Sequence, residues 1–212
     1  GEDVGVDLTL NAEHELLRWG PITQAPSLLD GDGGFPRTLL DVWDHADVDE
    51  VRRECRAQIE RAVLWGFDVT HLTSHLATMQ LRPELFDVYL DMALEFGLPM
   101  RLADASDQLA VGFPFRELAE EENVIAPDRV VGVLGGRIGE SPGASLAEAL
   151  AGVGEGVTEI VLYPAADDAE LRSYDQQADS SVRDARELGD ATAVAAAVAR
   201  AGVQLVGWRA LR

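Results

Sequence analysis

The sequence contains no lysine. All 17 of its basic residues are arginines, set against 38 acids, for a formal net charge of −21. A field of that sign repels phosphate backbones and anionic lipid, so nucleic acid and membrane surfaces are excluded as expected partners. The same bias is an ordinary route to solubility, and it also follows from a GC-rich genome or a salty habitat. There is one cysteine, Cys55, which excludes an internal disulfide and a cysteine zinc cluster. Long apolar runs are absent too. No stretch approaches the ~20 residues needed to span a bilayer, and no signal peptide precedes the first strand, so a cytoplasmic protein is expected. Histidine is scarce, and two of the four, His71 and His75, fall in the window FDVTHLTSHLATMQLRPELF.

What is present is enough for a sizeable core, with 212 residues of which 47% are hydrophobic. Strand and helix signals alternate. GVDLTL (5–10) and DVTHLT (68–73) read as strands, as do PMRLA (99–103), RVVGVL (129–134), VTEIVLYP (157–164) and VQLVGW (203–208). Between the first two lies a Pro- and Gly-rich excursion (18–37) without period. Asp47 with Glu50 predicts a capping box for a helix to Trp65, closed by Gly66, with Val51, Cys55, Ile59 and Val63 as its apolar stripe. Pro83 opens a second helix and Gly97 closes it. A weak helix is expected near 114–122, another over 142–152, helical stretches over 181–201, and an acidic surface loop over 166–181. The glycines of VLGGRIG (133–139) match no phosphate-binding fingerprint.

This alternation predicts an α/β architecture of parallel strands, either an open doubly wound sheet or a (βα) barrel. Parity favours the barrel. Asp7, His71, Thr73, Arg101 and Tyr163 occupy odd positions near the C-terminal ends of their strands, where barrel chemistry gathers. Six strands do not close such a barrel comfortably. The expectation is therefore a distorted or incomplete TIM-like (βα) barrel, one domain over 1–212, lacking one or two strands from before Gly1.

The segments VGVDLTLNAE, LRWGPIT, PSLLDGDGGF, RAQIERA, THLTSH, RPELFDVYL, EFGLPMRL and VTEIVLYPA occur in the order found in YdjC-like carbohydrate deacetylases. The sequence resembles that family from about residue 3 to the terminal GWRALR. The resemblance implies an incomplete barrel, one divalent metal (magnesium or zinc), and removal of an N-acetyl group from an amino sugar. Such a hydrolysis asks for a Lewis acid, a base for water, and an acid for the leaving amine. Carried over by position, His75 keeps a metal-ligand place, and His71 matches the histidine before it. Asp7 stands where the family has another histidine. Thr73 replaces an orienting acid, Tyr163 replaces a late histidine, and Arg101 keeps the arginine after GLP. The family's Asn-Ala-Asp-Asp strand has no counterpart.

Three polar positions thus differ within an intact frame. The expected metal ligands are His75 and Asp7, with binding weak or absent, since losing an imidazole and a supporting carboxylate weakens the set. Candidate catalytic groups are Arg101, Tyr163 and His71, the last reading more readily as structural. Asp7 could instead pair with Arg101. Trp19 and Arg101 are the candidate substrate contacts, while His14 and His45 read as solvated. The expected partner is a carbohydrate or other small ligand, with a homodimer as a possible assembly. Three functions stay open: a metal-dependent deacetylase if the native protein carries the upstream acidic pair, a degenerate sugar- or small-ligand-binding homologue, and a hydrolase with altered chemistry.

Overall fold

The computed structural model describes residues 2–132 and 146–212. The elements in chain order are β1 (Val4–Leu8), α1 (Leu39–His45), α2 (Val48–Leu64), β2 (Val69–Ser74) and α3 (Pro83–Phe96). Then come α4 (Ala105–Val111), α5 (Phe115–Glu121), β3 (Arg129–Gly132), α6 (Leu146–Ala151), β4 (Thr158–Val161), α7 (Ala169–Tyr174), α8 (Ala178–Gly189) and α9 (Ala191–Ala201). The fold is α/β with parallel strands. It divides into two compact units, residues 1–126 with 207–212, and residues 127–206.

In the first unit β1 pairs with β2 in parallel, with Gly5 opposite His71 and Asp7 opposite Thr73. The aliphatic residues flanking this pair, Leu8, Val69 and Leu72, go into the core beside Leu10, Phe35, Ile59, Phe86, Tyr89 and Met100. Helix α2 starts at Asp47, whose carboxylate accepts from the N–H groups of Asp49 and Glu50. Its face of Val51, Cys55 and Ile59 is buried, whereas Val63 is exposed, so the apolar stripe stops one turn early. The reciprocal half of the capping box is absent, because Glu50 turns away to Ser27. Burial also pushes the Cys55 thiol far above its usual range, which leaves it protonated and inert. Helix α3 begins with Pro83 and stops at Gly97, whose φ of 61° is the left-handed cap that glycine supplies at no steric cost.

The second unit holds β3 paired in parallel with β4, Val130 opposite Glu159, together with α6 to α9. Among the described residues the strands form these two pairs, and no closed barrel is formed by them. Two strand expectations are corrected. PMRLA contributes a single bridge, Leu72 to Met100. VQLVGW forms no ladder: Leu205 and Val206 lie exposed, and the chain turns into a 3-10 turn over Trp208–Leu211. Alternation alone did not provide it with a neighbour to pair with. The expected loop over 166–181 contains α7, capped by the Asp168 side chain on the Leu171 N–H. Helix α4 was not foreseen. The segment VLGGRIG, and the starts of the helix expected over 142–152, lie outside the described residues.

Candidate functional site

Parallel strands bring their C-terminal ends to the same edge, and this is where open and closed α/β sheets place ligands. At that edge Asp7 leaves β1 and Thr73 leaves β2 as direct cross-strand neighbours. The Thr73 hydroxyl donates to one oxygen of the Asp7 carboxylate. The other oxygen faces His75 Nδ1 at 3.2 Å, and His75 Nε2 meets Glu13 Oε2 at 2.9 Å. The imidazole is therefore held at both nitrogens by carboxylates. Burial opposes its charge, but the hydrogen bonds from Asp7 and Glu13 outweigh that cost, and its pKa rises from 6.5 to about 9. Glu13 is pushed up by burial and more than offset by its bond to His75, so it ionises below its ordinary range. Asp7 does not pair with Arg101 as weighed from sequence, since its two oxygens serve Thr73 and His75.

The backbone behind His75 is strained. Leu76 and Ala77 have φ of 49° and 56°, left-handed values that cost a non-glycine residue on the order of 1–3 kcal/mol each. The bend follows directly on His75, whose ring reaches the Asp7 carboxylate of β1. Trp19 stands edge-on to His75, ring centroids 6.1 Å apart, and edge-on to His14 at 5.9 Å. Its indole N–H donates to the Asn11 carbonyl at 3.0 Å. His14 is accordingly part of this cluster, 3.5 Å from Glu13, and not the solvated side chain expected. His45 is exposed at the end of α1, as its context suggested. Beneath the cluster, Asn11 is fully buried; its side-chain carbonyl accepts from Thr78 at 2.8 Å while its amide nitrogen finds no partner.

His71 sits elsewhere. Its ring is stacked on Trp208, centroids 4.3 Å apart and planes 3° from parallel, and Nδ1 bonds Thr70 at 2.9 Å. It covers Gly5, where an added Cβ would meet the imidazole at 2.3 Å. Arg101 follows the Met100 bridge, its N–H donating to Leu72 and its carbonyl accepting from the Tyr89 hydroxyl at 2.9 Å. Tyr163 belongs to the second unit, exposed just beyond β4, with its N–H donated to Asp184.

Of the two expected metal ligands, Asp7 and His75 do converge, but as an ion pair. Among the described residues no group of three or more His, Cys, Asp or Glu side chains is arranged to hold a metal ion. Sequence reasoning missed Glu13 and Asn11. The available signal was a carboxylate and an amide within five residues of the end of β1, in a segment that must pass over the strand ends.

Comparison with known proteins follows the same lines. The chain is 40% identical over 115 residues to a carbohydrate deacetylase of Thermus thermophilus, covering 54% of this chain and 43% of that protein. It is 29% identical over 167 residues to one of Thermoanaerobacter pseudethanolicus, covering 79% of this chain and 61% of that protein. To one of Geobacillus stearothermophilus it is 30% identical over 198 residues, 92% of this chain and 74% of the other. The chain thus spans 43% to 61% of the length of the first two relatives. A solved structure, a provisionally assigned cellobiose-phosphate cleavage protein of Enterococcus faecalis V583, superposes with a TM-score of 0.79. That likeness covers 99% of this chain and 77% of that one at 24% identity, and it is a likeness of fold. The family model described as YdjC-like protein matches residues 1–200, and on that match the chain belongs to the YdjC-like family.

Proposed function

We propose that this chain is a carbohydrate deacetylase-type protein that binds an N-acetylated amino sugar at the C-terminal ends of β1 and β2 and hydrolyses it slowly or not at all. The reading of a distorted, incomplete (βα) barrel, single-domain over 1–212, is supported by the family match, which runs across both units. The substrate class is supported by the names of the relatives. One observation carries the low turnover: His75 bonds Asp7 and Glu13 at both ring nitrogens.

Amide hydrolysis builds negative charge on the carbonyl oxygen and needs a base for water and an acid for the departing amine. An imidazolium with a pKa near 9 is a hydrogen-bond donor that holds its proton, and at neutral pH it is no base. Asp7, half-exposed, can accept from a sugar hydroxyl or amide N–H, and Trp19 adds an aromatic surface for a sugar ring. Such a set recognises an N-acetylated sugar better than it transforms one. Arg101 remains a proposed substrate contact, and His71 is assigned to packing on the strength of its stack with Trp208.

Titration calorimetry with N-acetylated and fully deacetylated chitooligosaccharides, paired with an assay for free amine in excess magnesium or zinc, tests this. Binding that prefers the acetylated sugar, with little amine released, is expected. Robust turnover abolished by His75→Ala would overturn it.

A further inference from the structure

Helix α2 presents a second stripe beside its apolar one: Glu50, Glu54 and Gln58, spaced four apart and so on one face. Glu54 is buried, and Glu50 and Gln58 are partly so. Glu54 is fully buried, and its carboxylate receives four neutral donors. Oε1 accepts from the Ile22 N–H and the Gln58 amide, both at 3.0 Å. Oε2 accepts from the Thr23 N–H at 2.9 Å and the Thr23 hydroxyl at 2.6 Å. Gln58 clamps one residue of backbone from both sides, accepting the Thr9 N–H at 3.0 Å and donating to the Thr9 carbonyl at 2.8 Å. Glu50 holds the chain further along, its Oε2 accepting from the Ser27 N–H and hydroxyl at 2.8 and 2.7 Å.

The residues so held flank the candidate site on both sides. Thr9 lies two residues after Asp7 and four before Glu13, and Ile22 and Thr23 follow the Trp19 turn. We propose that Glu54 and Gln58 are positioning residues for the ligand site, setting the spacing between the Asp7–Glu13 segment and the Trp19 loop through one joined hydrogen-bond network. The inference rests on the sugar-binding reading for its consequence, but not for its geometry. A carboxylate is the fitting group at position 54 because all its acceptor sites are used; an amide of the same shape would turn a donor onto a backbone N–H, that of Ile22 or of Thr23. Burying it is costly unless every bond is made, so the network holds one loop position and not a range of them.

The test compares Glu54→Gln and Gln58→Ala with Glu60→Gln, an exposed position on the same helix. Two readouts are followed: the 15N–1H resonance of the Trp19 indole, assigned by its loss in Trp19→Phe, and the Kd for N-acetylated chitooligosaccharide. Both network variants are expected to move or broaden the Trp19 resonance and to weaken sugar binding about tenfold, the equivalent of one or two lost hydrogen bonds, while Glu60→Gln changes neither. A folded Glu54→Gln with the Trp19 resonance and the Kd unchanged would overturn the proposal. Should Glu54→Gln not fold, the same readouts on Gln58→Ala decide it. If the wild-type protein binds no such sugar, the function proposed above fails, and the indole resonance still decides the positioning role.

Discussion

At the scale of single residues, the protonation of His75 is tied to folding. A base whose pKa rises from 6.5 to about 9 adds stability in full below pH 6.5 and loses it as pH climbs through 9. Glu13, ionising below its ordinary 4.5, adds stability above that pH and loses it below. The cluster is therefore at full strength between about pH 4.5 and 6.5, and its alkaline limb is worth on the order of 3 kcal/mol. Denaturant midpoints across pH 5–10 should fall on the alkaline side for the wild type and stay flatter there for His75→Gln; parallel curves would contradict the assignment. Gly5 makes a separate prediction. With the His71 ring pinned by Trp208, Gly5→Ala has no room, and a loss of ~1–3 kcal/mol is expected on unfolding. An unchanged midpoint would mean that the His71–Trp208 stack yields freely. That Asp7 and His75 come together was legible from sequence because both stand at strand ends, whereas Trp19 stood out only as an aromatic in the RWGP loop. Glu13 was not legible, because its role depends on a loop crossing over the strands, which no local period records.

At the scale of elements, the β1–β2 register explains why two unusual residues occur together. Asp7 and Thr73 are directly opposite, and an acid at 73 would place like charges across the pair. Thr73→Asp alone is expected to cost ~1–2 kcal/mol, from lost hydrogen bonding and added repulsion. Combined with Asp7→His it should cost less, since the new acid then faces an imidazole. A double-mutant cycle in denaturant reads the coupling, and strict additivity would sink the idea. Asp7→His should also remove one of the two carboxylates that keep His75 protonated, so calorimetry should detect more zinc bound than by the wild type. Elements with chemical punctuation were legible in advance: α2 from its Asp47 cap, α3 from Pro83 and Gly97. VQLVGW and the hidden α7 were misread for opposite reasons. The first has the alternation of a strand without a partner, and the second has a cap but only six residues in an acidic, Ser-rich setting.

At the scale of the molecule, 38 acids against 17 bases leave 21 negative charges that no arginine can neutralise. Surface pairs such as Arg52 with Asp91 and Arg56 with Glu95 offset little of this, because exposed ion pairs are worth ~0–1 kcal/mol each. Self-repulsion should dominate. Raising ionic strength shrinks the screening length from ~30 Å at 0.01 M to ~8 Å at 0.15 M, so Tm is expected to rise with salt; a fall would show that the ion pairs outweigh the repulsion. The α/β class was legible in the alternation of strands and helices, while ring closure was not, because it depends on long-range pairing that parity alone does not encode. The central proposal, that His75 at the edge of β1 and β2 is an imidazolium held between Asp7 and Glu13 and takes up metal weakly at most, is tested most directly by 15N NMR of the His75 ring at pH 7.5, with and without excess zinc or magnesium. The expected spectrum has both ring nitrogens protonated, titrates near pH 9, and is unmoved by metal. A neutral ring with one nitrogen shifted on adding metal would contradict it.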